Sequence, residues 1–134
     1  MQGIVKAARL AHPLAAATVV ALVFAQVYLI AAFIFGDAGA LNTHMTLGRV
    51  AVGFELLVLV TALVGWRSDR TEVRLGIALV VVGALQVSLA KDVGSSPGVH
   101  ALHGLLALAV LVLASVMTTR TWHVLRDRSA AATT

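Results

Sequence analysis

Four apolar stretches, at about 14–35, 47–66, 74–91 and 99–119, limit what this chain can fold into. Crossing the hydrocarbon of a bilayer takes roughly 20 residues at about 1.5 Å each, and every stretch is near that length. The third is the shortest. In lipid the backbone must satisfy its own hydrogen bonds, and a helix does so within one segment. The intervening stretches 36–43, 67–72 and 91–98 are short and rich in turn-forming residues, so consecutive helices are expected to be antiparallel neighbours. His12-Pro13 precedes the first stretch, and Pro suits a first helical turn. Lys6 and Arg9 also precede it, as they would in a signal peptide, but the stretch exceeds a signal core and reads as a true span. The expected architecture is all-α: one integral membrane domain over 1–134, folded as an antiparallel four-helix bundle.

Composition agrees. Of 134 residues, 60% are hydrophobic and 12% charged, with mean hydropathy +0.96, against about half and about a quarter in a soluble domain. There is no cysteine, which excludes disulfides, thiol catalysis, Cys-held zinc and iron–sulfur clusters. The pI near 10.8 does not point to nucleic acid. The basic residues flank the apolar stretches and form no soluble basic face. Lys6, Arg9, Arg67, Arg70, Arg74, Arg120, Arg126 and Arg128 fall on one side of such a bundle, Arg49 and Lys91 towards the other. Cytoplasmic loops carry the excess of Lys and Arg, so both termini are expected in the cytoplasm. The tail 129–134 is small and polar and is expected to fray.

Within the bundle one phrase occurs twice. Gln26-Val27-Tyr28-Leu29 is followed, 18 residues after its Gln, by His44; Gln86-Val87-Ser88-Leu89 is followed, 17 residues after its Gln, by His103. Two similar helical hairpins can bring the same residue to a shared axis. Two facing imidazoles suit a haem b near the outer face, since haem iron takes protein axial ligands. Residues four apart share a helix face, which puts Gly48 one turn below His44 and Ala107 one turn below His103. A flat porphyrin needs small side chains there, although small residues also serve plain helix packing.

His100, three residues before His103, is the alternate ligand or a rim residue; the repeat spacing favours His103. Arg49 and Lys91 are the cations available to haem propionates, with Asp37 and Asp92 as competing partners. Gln26 and Gln86 are expected beside the cofactor or bonded between helices. Glu55 lies about nine residues, or roughly 13 Å, inside the second span. It is expected to clamp helices through Gln26 or to belong to a proton path. His12 and His123 are expected at a headgroup boundary. The roughly 30 Å between His103 and His123 argues against a second haem.

This layout resembles one half of the haem A synthase family, whose two tandem four-helix bundles each carry a His on the second and fourth helices; His44 and His103 match those positions. It is also similar to small uncharacterised bacterial four-helix membrane proteins with His-x-x-x-Gly on the second helix and Gln on the first and third, which His44, Gly48, Gln26 and Gln86 fit. The resemblance covers about 14–119 and implies a haem-holding bundle in a bacterial cytoplasmic membrane. The synthase family places a catalytic Glu a few residues before its first His. Here Gly39 and Ala40 stand there, Met45 follows His44, and one bundle is matched. The resemblance therefore implies the holding of haem and not haem A synthesis.

Three functions follow from these residues. The first is a single-haem b-type cytochrome or haem-binding subunit, an electron carrier and not a stand-alone enzyme. It would exchange electrons with a quinol, another haem protein or a partner subunit. The second is a copper or zinc site of His44, His100 and His103 with Asp37 or Asp92. The third is a non-catalytic accessory or assembly subunit of a larger membrane complex, or a homo-oligomer, held in the lipid bilayer. No nucleophilic triad spacing or phosphate-cradling Gly loop is present, and four short-looped helices leave little room for alternating access.

Overall fold

A computed structural model of the protein describes residues 1–90 and 96–131. Four helices follow one another: α1 (Gln2–Ile34), α2 (Ala38–Gly65), α3 (Arg70–Ala90) and α4 (Pro97–Ala131). All four are long and apolar enough to cross a membrane, so the fold is that of a multi-pass membrane protein with four candidate spans. They pack antiparallel as a ring. α1 and α3 each lie against α2 and α4, and the diagonal pairs meet only through side chains that reach across the interior, not backbone to backbone. One end of the bundle carries the start of α1, the α2–α3 turn and the end of α4; the other carries the α1–α2 turn, the end of α3 and the start of α4.

The outward faces are apolar too. Phe24, Tyr28, Leu56, Leu105, Leu108 and Val112 are exposed, as expected of helices solvated by lipid. Inside, Val19, Val58, Leu79, Val110, Ala114 and Met117 form the dry core.

Three helix boundaries differ from the sequence reading. α1 starts at Gln2, so Pro13 lies inside the helix and not in its first turn. α4 continues to Ala131, so 129–131 are helical where fraying was expected, while 132–134 lie outside the described residues. α2 starts at Ala38, shortening the first loop to a tight turn in which Gly36 takes a φ of 108° and Asp37 caps Gly39 N at 3.0 Å. The physical reason is common to all three. An apolar window measures the hydrocarbon crossing, whereas a helix continues for as long as its flanking residues tolerate it. Most of the third loop, 91–95, lies outside the described residues, including Lys91 and Asp92.

α2 and α3 come together around a carboxyl group. Glu55 is buried, and a Cβ placed on Gly83 would collide with its carboxylate. Gly83 is thus the recess that lets Glu55 turn inward. The expected Glu55–Gln26 clamp does not form, because Gln26 is bonded to α2 at the level of His44. Filling the recess should force Glu55 out. Gly83→Ala is expected to lower stability by about 1–3 kcal/mol, the usual penalty for overpacking. Thermal unfolding in detergent should show Glu55→Ala combined with Gly83→Ala less destabilised than the two single changes added together.

Candidate functional site

The two copies of the Gln-to-His phrase fold into the same local arrangement. His44 Nδ1 lies 3.2 Å from the main-chain oxygen of Gln26, and His103 Nδ1 lies 2.9 Å from that of Gln86. A carbonyl oxygen only accepts, so in each ring Nδ1 carries the proton and donates it. That tautomer leaves Nε2 of each ring as an unprotonated nitrogen with a lone pair, the form in which imidazole ligates a metal. The two rings come from diagonally opposite helices, α2 and α4. Their centres are 6.4 Å apart and their planes inclined at 68°.

The copies are not identical. Gln26 Nε2 donates to the His44 main-chain oxygen at 2.9 Å. It can do so because Gly48 has no side chain: a Cβ there would stand 3.0 Å from the Gln26 amide nitrogen. Ala107 occupies the equivalent place below His103 and carries the Cβ that Gly48 lacks, and no matching Gln86 amide bond forms among the described residues. The buried Oε1 of Gln26 has no partner there either.

Three other expected residues are exposed. His100 is exposed near the start of α4, three residues before His103. Arg49 is exposed one turn below His44 and makes no ion pair among the described residues. Asp37 caps α2. Among the described residues no group of three His, Asp or Glu side chains converges on a metal position; Asp92 lies outside them.

A second polar centre, at the termini end, was not anticipated. His12, expected at a headgroup boundary, is completely buried, whereas His123 is exposed as expected. His12 Nδ1 lies 2.9 Å from Thr61 Oγ1 and His12 Nε2 lies 3.2 Å from Glu72 Oε1. Arg120 Nε donates to Glu72 Oε2 at 3.3 Å, and its Nη2 lies 3.5 Å from Asp69 Oδ2. One chain of contacts thus joins all four helices. The single Thr61 hydroxyl proton is directed at the main-chain oxygen of Leu57 or Val58, at 2.8 and 3.0 Å, so Thr61 accepts from His12 Nδ1. The His12–Glu72 contact then needs one further proton, on either partner, and the buried pair is neutral as a unit. A cavity of about 120 Å³ adjoins it, lined by Trp66, Asp69, Glu72, Arg120, Thr121 and Val124. The Trp66 ring centre is 6.0 Å from that of His12. The signal for this cluster lay in depth: residues 12, 61, 72 and 120 fall at one level on four alternating helices.

Comparison with known proteins finds no matching family model, no matching curated protein and no matching solved structure.

Removing His12 should leave Glu72 buried with only Arg120 to balance it. His12→Ala is expected to lose about 3–5 kcal/mol of stability, as for other broken buried pairs. His123→Ala should stay within about 0.5 kcal/mol. Chemical unfolding in detergent followed by circular dichroism compares the two.

Proposed function

We propose that this protein is a membrane haem protein that holds one haem b between His44 and His103, at the end away from the termini. It acts as an electron carrier or as the haem-binding subunit of a respiratory complex. The observation that carries this reading is the pair of imidazoles whose ring centres stand 6.4 Å apart, each with Nδ1 tied to a main-chain oxygen. With Nδ1 of each ring donating to a main-chain oxygen, each Nε2 keeps its lone pair, so two neighbouring imidazoles would be available to one metal atom.

The surroundings support a flat group there. Among the described residues, every side chain buried to less than 2% exposure lies on the termini side of the histidines. Around the histidines the described lining is small or only partly buried, with Gly48, Ala51 and Ala107 on the helices that bear them. Haem, when bound, supplies reversible one-electron transfer. The residues of this chain do the rest. His44 and His103 hold the iron. The main-chain oxygens of Gln26 and Gln86 fix ring orientation and increase ligand basicity. Arg49, exposed at this end, is available to a propionate or to the membrane interface. A copper or zinc site is the weaker reading, because structural and catalytic zinc takes three or four protein ligands and no group of three candidate ligands comes together among the described residues.

An absorption spectrum of protein expressed with added haem precursor tests the proposal. The expected result is a low-spin Soret and α/β spectrum with about one iron per chain. His44→Ala and His103→Ala should each abolish or convert it, and His100→Ala should leave it intact. Absence of any Soret band, or stoichiometric copper or zinc with no iron, overturns the haem reading. Unchanged spectra in both ligand variants overturn the ligand assignment.

A further inference from the structure

A groove of about 430 Å³ opens at the termini end, lined by Met1, Gln2, Val5, Lys6, Arg9 and Arg67. Its size is that of a site for a small ligand or headgroup. It holds three cationic side chains and no carboxylate. The acids nearest in sequence, Asp69 and Glu72, are engaged by Arg120 and His12. Neither Lys6, Arg9 nor Arg67 is paired with a carboxylate among the described residues.

The groove is also built, not merely charged. Gly65 at the end of α2 meets α1 so closely that a Cβ there would stand 2.8 Å from Arg9 N and 3.0 Å from the main-chain carbon of Ala8. Arg9 Nε donates to the Gly65 oxygen at 2.7 Å. This fixes the guanidinium and leaves its two terminal nitrogens for another partner. Apolar surface leads away from the groove into the span. Leu10 and Leu14 continue the face of Lys6 at steps of four residues, and both are exposed, as is Leu63 one turn before Arg67. A cationic recess with two exposed apolar ridges running towards the bilayer suits a molecule that is anionic at one end and acyl at the other.

We propose that this groove binds the phosphate headgroup of an anionic phospholipid, with Lys6, Arg9 and Arg67 around the phosphate and the acyl chains along Leu10, Leu14 and Leu63. The proposal is independent of haem binding.

The test uses the full chain, delipidated in an uncharged detergent and titrated with fluorescent phosphatidylglycerol. Unlabelled phosphatidylglycerol, phosphatidylcholine and inorganic phosphate serve as competitors. Saturable binding is expected, displaced by phosphatidylglycerol at concentrations at which the other two do not compete. Lys6→Ala combined with Arg67→Ala should weaken binding by about ten-fold or more, since each basic residue near an anionic surface contributes roughly a factor of five. Arg126→Ala combined with Arg128→Ala removes the same formal charge from the end of α4 and should change affinity by less than about two-fold. Both pairs are exposed, so thermal unfolding should match the parent protein. Equal losses in the two pairs indicate diffuse attraction and overturn the site. Equal competition by phosphatidylcholine, or full displacement by millimolar inorganic phosphate, overturns the assignment to an anionic lipid.

Discussion

A bilayer supplies no hydrogen-bond partners, so every polar group within this bundle depends on another part of the same chain. The backbone meets that demand by forming four helices, and most of the buried polar side-chain atoms meet it at two levels, Gln26 Oε1 and Trp66 Nε1 being exceptions among the described residues. Towards one end, His44 and His103 donate to main-chain oxygens of the neighbouring helix in their own hairpin. At the other end, His12, Thr61, Glu72 and Arg120 bond in series across all four helices. Between the two levels lie Val58, Leu79, Val110 and Ala114, with Glu55 as the one acid, admitted by the space at Gly83. Helix packing is thus set by apolar contact in the middle and by hydrogen bonds at the ends.

Much of this was legible in the sequence because the membrane simplifies the problem. Four apolar stretches leave one helical architecture, and a repeated spacing leaves the two histidines at one depth. What was not legible depends on length beyond the hydrocarbon. α1 and α4 run for 33 and 35 residues, about 50 Å at 1.5 Å per residue, against roughly 30 Å of hydrocarbon. An apolar window ends where polar residues begin, so His12 reads as an interfacial residue. The helix does not end there. It carries His12 to the level of Thr61, Glu72 and Arg120, where burial becomes favourable because partners are present. Glu55 shows the converse limit: its depth could be counted from the sequence, but its neighbour could not. The recess at Gly83 belongs to a helix 28 residues further on.

The asymmetry between the two hairpins is informative about the histidines. A side-chain amide from Gln26 reaches the His44 backbone through the gap at Gly48, while Ala107 fills the equivalent gap below His103. The contact common to both copies is the simpler one, ring nitrogen to main-chain oxygen. A main-chain oxygen cannot donate, so this contact selects one tautomer, whereas a glutamine side chain in the same place could offer either a donor or an acceptor. The duplicated feature is therefore the one that fixes the chemical form of the imidazole.

The separation of the two polar levels constrains what an electron carrier of this shape can do. Arg120 follows His103 by 17 residues on α4, or about 25 Å along the helix. The side chains between them that face the core are Val110, Ala114 and Met117. No titratable chain of contacts connects the levels, since Glu55 bonds to neither among the described residues. On the proposed reading, a haem held by His44 and His103 would lie at one end of the bundle, with the apolar Val110, Ala114 and Met117 between it and the level of Arg120. The His12–Glu72–Arg120 level ties the helices together at the opposite end.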